Sequence, residues 1–345
     1  MTSSTRAEIA VAPSASAGLD RAVLLDHPIV AALVSRTRFA DAGYDVERRT
    51  RIGLSGGPDS TALAVLSVAE GLKVEARLVD HGLRDTTADR SAAAVTCERL
   101  GIPLDVVAVD VHDGPDLEAR LRAARHHALG PDAALGHTAD DRAETLLLNL
   151  MRGTGLAGLT AMSVRHRPLI ELRRTETAEL CGDLDLPIVV DPTNGDPRHR
   201  RNRVRNELLP LLSDIAERDV ATLLARTAAH LEGDAALLDS LAGAIDPTDV
   251  DALRQAPRPL AVRSLRKWLS IEAGDGYPPD ASAIERVLAV VDGAARGTEV
   301  CGHRVARRRG RLRIEEISTR PRCDGNDDAN RPTTADSLRR CGPDS

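Results

Sequence analysis

The stretch Leu54-Ser55-Gly56-Gly57-Pro58-Asp59-Ser60 constrains the fold more than any other part of the chain. Arg49 to Leu54, just before it, is short and partly apolar, as a strand would be. From Thr61 onward apolar residues continue at helical spacing. The reading is strand, tight glycine turn, helix. That arrangement aims the unpaired N–H groups of a helix start at one point, where an anion is favoured. Adjacent glycines permit positive φ and let a phosphate approach with no Cβ in the way. Ser55 and Ser60 add hydroxyl donors. Asp59 would repel a phosphate unless it holds Mg²⁺ bridged to that phosphate, which makes it the candidate metal ligand. A Walker A loop is excluded, because it needs a lysine followed by Ser or Thr; lysine occurs only at 73 and 267.

The same grammar repeats downstream. Lys73 to Val79 reads as a second strand, Leu104 to Val109 as a third and Ala133 to Leu135 as a short fourth. Helical patterns fill Leu24 to Phe39, Thr87 to Leu100, Leu117 to Leu129, about 139 to Met151 and Thr175 to Leu184. Strands alternating with helices of a dozen residues predict an α/β fold, a doubly wound parallel sheet covered on both faces. Arg152 to Leu159 is too glycine-rich for regular structure, Arg167 to Ile170 reads as extended and Asp191 to Asn194 as a turn. Beyond about 213 strand signals vanish and a smaller, mostly helical domain is expected, with breaks at Asp246-Pro247 and at Pro257 and Pro259. A small hairpin is expected between Glu299 and Ile314, with Gly302 and Gly310 as its turn candidates. The expected domains are a catalytic one over 20–212 and an accessory one over 213–316, flanked by disordered segments at 1–19 and 317–345.

Composition narrows the function classes. A formal net charge of −6 excludes a uniformly basic nucleic-acid binder but not a local basic patch. Aromatics are 1% of residues, too few for a base-stacking platform. The five cysteines are widely spaced and form no C-x-x-C, so zinc ribbons, iron–sulfur sites and disulfide frameworks lack support. No apolar run is long enough to span a membrane, and the N-terminus lacks a secretory signal pattern. The expected location is the cytoplasm.

Three charged clusters fall at strand ends, where such sheets bind ligands: residues 55–60, Asp80-His81-Gly82-Leu83-Arg84, and 136–144. In the third, Asp141 and Glu144 share one face of a helix start. They can hold Mg²⁺ or capture an ammonium. The ordinary alternative is an acidic first turn favoured by the helix dipole, worth ~0.3–1 kcal/mol per residue. His81 and His137 are either hydrogen-bonded structure or groups that bind phosphate or move a proton. Asp80 can simply fix the turn that follows it. Arg198 to Arg205 holds five arginines and His199 in an acidic protein. Guanidiniums bind phosphate oxygens bidentately, so RNA backbone or ATP contact is expected there. Arg307, Arg308, Arg309 and Arg311 form a second, weaker candidate.

Ser55-Gly-Gly-Pro-Asp-Ser60 resembles the pyrophosphate-binding loop of the ATP pyrophosphatase (PP-loop) superfamily, whose fold is Rossmann-like. With Asp80-His-Gly-Leu-Arg84, Gly136-His-Thr-Ala-Asp-Asp141, Ala143-Glu-Thr145, Arg152-Gly-Thr-Gly155, Arg167-Pro-Leu169 and Arg201-Asn-Arg-Val-Arg205, the chain resembles the tRNA(Ile)-lysidine synthases in their short form. The resemblance implies a ligase that uses ATP and Mg²⁺ to adenylate C2 of the wobble cytidine of a CAU-anticodon isoleucine tRNA. Lysine then joins through its ε-amine, releasing AMP. It implies that Ser55, Gly56, Gly57, Pro58, Asp59, Ser60 and His137 bind the nucleotide, with Asp59 on the metal. Asp141 and Glu144 would hold or deprotonate lysine, and Asp59, Asp141 and Glu144 would be the catalytic set. Arg152, Arg201, Arg203 and Arg205 would contact substrate. A homodimer is compatible with the family. Arg142 stands where the family most often has Gln, which puts local acidity in doubt, and Thr193 stands where Ser is usual.

The rivals are a tRNA thiolase, which needs placed cysteines, and the GMP, NAD and asparagine synthetases, which should lack the D-D-x-A-E and R-G-T-G segments. A non-catalytic tRNA- or nucleotide-binding protein would predict a damaged loop or missing carboxylates, and both are intact.

Overall fold

The computed structural model describes residues 18–82, 85–110, 117–191, 195–273 and 279–316. Expectations for the two tails, for Leu83 and Arg84, and for the turn residues 192–194 lie outside them. Contacts divide the chain into two compact units, Met1–Leu237 and Leu238–Ser345.

In the first unit, α1 (Arg21–Asp26) and α2 (Pro28–Val34) replace the single helix expected from Leu24 to Phe39. Pro28 at the first helical position lacks an N–H and restricts His27 to extended backbone, so the chain restarts there instead of continuing. β1 (Arg49–Gly53), α3 (Pro58–Glu70), β2 (Lys73–Asp80), α4 (Thr87–Leu100) and β3 (Leu104–Ala108) follow as expected. The strands pair in parallel in the order β1-β2-β3. Register sets Ile52 beside Ala76 and Leu78 beside Val106. α5 is Leu117–Leu129. The expected fourth strand is reduced to a single parallel bridge between Ile52 and Ala134. It lies on the far side of β1 from β2, so β1 ends where the winding direction reverses. That reversal is the crevice in which open α/β sheets bind ligands.

β2 shows how the faces differ. Val74, Ala76 and Leu78 are buried and join the apolar core with Leu63, Val65 and Leu66 of α3. The alternate residues Glu75, Arg77 and Val79 are half-buried. Arg77 on that second face donates to the Ala128 carbonyl of α5 (2.6 Å). Right-handed crossovers put α3 and α4 on one face and α5 on the other, giving the doubly wound arrangement.

α6 (Ala139–Met151), the short α7 (Leu156–Leu159) and α8 (Arg174–Asp183) come next. Residues 168–171 form turns instead of the expected extended run, and Leu169, Ile170 and Leu172 are all buried. α9 (Arg200–Arg203) passes through a π turn at Val204–Leu208 into α10 (Leu209–Ala216), followed by α11 (Val220–Gly243).

The second unit contains α12 (Val250–Gln255), α13 (Arg258–Glu272) and α14 (Ala281–Asp292) around a core of Leu265, Leu269, Ile284 and Val287. The expected hairpin is a three-stranded antiparallel sheet, β4 (Gly297–Val300), β5 (His303–Arg308) and β6 (Arg311–Glu316). Its turns fall at Gly302 and Gly310 as anticipated. The third strand escaped notice because Gly297 to Val300 is short. Among the described residues no helix is long and apolar enough to cross a membrane.

Candidate active site

The loop after β1 is shaped by its own hydroxyls. The Ser60 hydroxyl accepts from the Ser55 N–H (3.1 Å), donates to the Gly57 carbonyl (2.9 Å) and meets the Ser55 hydroxyl at 3.1 Å. Ser60 is therefore spent on the turn, while the exposed Ser55 can redirect its proton to a ligand. Gly56 takes φ +78°, and a Cβ there would stand 3.1 Å from the Asp89 carbonyl oxygen. Gly57 precedes α3 as its cap, and no side chain caps the first turn, which leaves its amides available to a phosphate-sized anion.

The segment leading to α6 crosses that first turn closely. A Cβ on Gly136 would lie 2.6 Å from the Asp59 carbonyl oxygen and 3.0 Å from the Ser60 nitrogen. Thr138 caps α6 and donates through both N–H (2.9 Å) and hydroxyl (3.1 Å) to Asp141. These contacts bring the α6 carboxylates beside the loop.

Sequence reasoning missed the residue that joins them. Arg174, the first residue of α8, donates to Asp59 (3.2 Å), Asp141 (2.8 Å) and Glu144 (3.1 Å). Thr177 donates to the other Asp59 oxygen. Arg201 reaches Glu144 (2.6 Å) and Asp141 (2.9 Å), and Arg205 reaches Glu144 (2.7 Å). Three guanidiniums thus face three carboxylates. One signal was available in the sequence: two arginines at a helix start oppose the macrodipole and so call for anionic partners. Arg173 has them in Asp140, through bonds of 3.0 and 2.9 Å, and in Asp219.

The expected substrate arginines separate into two groups. Arg201 and Arg205, four apart, share the inward helical face. Arg203 lies on the opposite face, exposed, in an ion pair with Glu207 (2.8 Å). Arg152 ends α6, about 16 Å along the axis from Asp141, and is exposed. The R-G-T-G segment works as a helix stop there: Gly153 and Thr154 donate back to Leu150 (3.0 Å) and Asn149 (3.3 Å). Asp80 accepts from Gly82 (3.0 Å), Thr86 (3.0 Å) and Arg90, and so fixes its turn. Arg142 does not dilute the acidity beside it. It is buried and paired with Glu232 of α11, because neighbours in a helix point in different directions.

Burial raises the Asp59 carboxyl above its usual range; Thr177 and Arg174 oppose that and Asp141 adds to it. Burial works the same way on Asp141, but Arg174, His137 and Arg201 outweigh it and hold Asp141 at about 2. Burial lowers His137 to about 4, leaving a neutral imidazole whose Nδ1 has no partner. An imidazole depressed in the fold makes stability fall with pH from about 6.5, and a depressed carboxylate extends that fall from about 4 to 2. Asp59, raised, opposes the trend. Chemical unfolding measured between pH 7 and 2 should show a progressive loss. Asp141→Asn should flatten the acid end of that curve by about 2 kcal/mol; an unchanged slope below pH 4 would contradict the assignment.

Among the described residues no group of three or more His, Cys, Asp or Glu could hold a metal. Mg²⁺ is commonly held by one or two carboxylates together with substrate phosphates. Asp59 fits that role once Arg174 or Thr177 releases an oxygen.

The parallel sheet, the glycine loop at its switch point and the carboxylates beside it define a PP-loop protein, and the PP-loop domain family matches residues 32–212. A tRNA(Ile)-lysidine synthase of Nocardia farcinica is 39% identical over 295 residues, covering 78% of this chain and 92% of that protein. One of Rhodococcus erythropolis is 37% identical over 315 residues, covering 84% and 97%. Among solved structures, an NMN synthetase of Francisella tularensis aligns at a TM-score of 0.38 with 17% identity, over 59% of this chain and 94% of that one. The chain belongs to the tRNA(Ile)-lysidine synthase family.

Proposed function

We propose that the protein joins lysine, through its ε-amine, to C2 of the wobble cytidine in the CAU-anticodon isoleucine tRNA, using ATP. The observation that carries this reading is the likeness to lysidine synthases over nearly their whole length. The carboxylate pair standing beside the glycine loop supports it. ATP lies with its terminal phosphates against Ser55 to Ser60. The cytidine O2 attacks the α-phosphorus and pyrophosphate leaves. The lysine amine then forms the C2–N bond as the C2–O bond to AMP breaks, and the amine gives up its proton.

Each residue has an assigned part. Helix-start amides and the Ser55 hydroxyl stabilise the departing pyrophosphate. Mg²⁺ bound with the phosphates, on Asp59, would supply further charge neutralisation. Lysine carries both signs of charge, which suits a cluster of alternating guanidiniums and carboxylates. Asp141, which Arg174, His137 and Arg201 hold low against burial, is suited to holding the ammonium. Residues 20–212 form the proposed catalytic domain and 213–316 an accessory domain that meets the tRNA. The proposed setting is the cytoplasm and the proposed assembly a homodimer, which light scattering tests.

The deciding experiment offers labelled lysine, ATP and Mg²⁺ with the isoleucine tRNA, beside the methionine tRNA that shares the CAU anticodon. Lysine should enter only the first, with AMP released, and Asp59→Ala should abolish AMP formation. AMP formation dependent on ammonia or a sulfur donor would move the function to a sister enzyme.

A further inference from the structure

α5 carries a row of cations that no step above uses. Its direction is set by contacts: Arg51 and Arg77 reach the carbonyls of Leu129 (3.3 Å) and Ala128 (2.6 Å) at its C-terminal end. The helix therefore runs back toward the carboxyl ends of the strands as its numbering falls. Leu129 packs on Gly53 of β1, where an added Cβ would stand 3.2 Å from it. Arg125 and Arg122 share that helical face, about 6 and 10 Å nearer the strand ends. Arg167 donates through its guanidinium to the carbonyls of Ser163 (3.2 Å) and Arg165 (3.1 Å). The preceding residue, His166, accepts from the Leu135 N–H (2.9 Å), beside the segment that leads to His137.

Among the described residues no ion pair joins Arg122, Arg125 or Arg167 to a carboxylate, although Glu232 stands near Arg167. Burial and then the like charge of Arg122 lower Arg125. Burial and then Arg122 lower Arg167, with Glu232 opposing. His81, His126 and His137 are lowered first by burial; Arg125 adds to this at the first, and Arg122 and Arg167 at the other two. Both ring nitrogens of His81 and the Arg167 Nε are buried without a partner. Arg122 and Arg125 nonetheless reach solvent. Like charges held together at the strand ends call for an anion. In the carboxylate cluster, by contrast, Arg174, Arg201 and Arg205 already have theirs.

We propose that Arg122, Arg125 and Arg167 form a phosphate site for the backbone of the RNA substrate, clamping a phosphodiester beside the nucleotide being modified. The proposal rests on the function inferred above. The terminal phosphates of ATP have their own cradle at the start of α3, on the opposite face of the sheet. A strand lying across the sheet end would present its base to the loop and its phosphate to α5. Guanidinium pairs suit that phosphate, since each can donate two parallel hydrogen bonds.

The test measures tRNA affinity against salt, and ATP affinity without tRNA, for the wild type, Arg122→Gln/Arg125→Gln and Arg167→Gln. Arg125→Lys, which keeps charge and loses the fork, completes the set, and circular dichroism checks folding. Each lost contact should lower the slope of log K against log salt by about 0.7, as for single strands. tRNA binding should weaken roughly ten-fold per arginine, with ATP affinity unchanged. Weaker ATP binding with an unchanged tRNA slope would assign the site to the nucleotide and overturn the proposal, as would no change in either. If the wild type transfers lysine while the variants bind tRNA normally, this inference alone fails. If the wild type neither binds tRNA nor transfers lysine, the functional reading fails with it.

Discussion

Gly136→Ala should cut ATP-dependent AMP formation by about 100-fold or more, although residue 136 bears no reactive group. A methyl at this position would lie 2.6 Å from the Asp59 carbonyl oxygen, 2.8 Å from its carbonyl carbon and 3.0 Å from the Ser60 nitrogen. All three are backbone atoms in the first turn of α3, so no side chain can swing aside. Either the 134–137 segment retreats, taking His137 and the Asp141 end of α6 with it, or the helix start shifts and the phosphate cradle loses its shape. A displacement of about 1 Å between reacting groups is enough for a 10²-fold loss. Overpacking of this kind also costs about 1–3 kcal/mol of stability. Steady-state AMP release, read beside a thermal melt, separates the two effects. A folded Gly136→Ala protein with near-normal activity would show that loop and carboxylates need not be held in this register.

Local grammar explains what could be read before the structure. The strand-loop-helix unit around Ser55 to Ser60 is written in adjacent residues, and so are the turn glycines at 302 and 310. α8 was placed almost to the residue. Two departures in the elements share a cause: tertiary packing settled what local pattern left open. Ala133 to Leu135 has the composition of a strand but gains only one bridge. Arg167 to Ile170 turns, with the adjacent Leu169 and Ile170 both buried. The break between α1 and α2 is instead local, at a proline that helical periodicity does not register. At the site, the carboxylates were legible because they stand three apart on a helix at a strand end. Arg174 was not, since its partners lie 30 to 115 positions away in sequence. Arg201 and Arg205 were recognised as functional cations but expected on phosphate, because spacing along a helix tells which residues share a face and not what that face meets. Arg142 follows the same rule, since adjacency to Asp141 says nothing about direction.

Glu144→Gln should destabilise the first unit by about 3–5 kcal/mol, the cost of breaking a buried ion pair by removing one partner. Glu144 is fully buried and accepts from Arg174 (3.1 Å), Arg201 (2.6 Å) and Arg205 (2.7 and 3.2 Å). Glutamine keeps the volume but has one acceptor oxygen, and its NH₂ would point donors at donors. Arg174 and Arg201 would retain Asp141, while Arg205, whose nearest Asp141 oxygen is 3.9 Å away, would lose its main partner. The excess positive charge can be relieved by removing a cation. Adding Arg205→Met to Glu144→Gln should therefore recover part of the lost stability, so that the double variant is more stable than the sum of the single changes predicts. Lysine transfer should be abolished in both if Glu144 meets the substrate ammonium as proposed, because restoring charge balance does not restore that carboxylate. Denaturant titration of the four proteins, beside lysine incorporation, reads both quantities. A loss under about 1 kcal/mol for Glu144→Gln would mean that the arginines turn outward to solvent and that the cluster is open rather than locked. Recovery of lysine transfer in the double variant would mean that Glu144 serves only to neutralise Arg205, leaving Asp141 alone to meet the substrate.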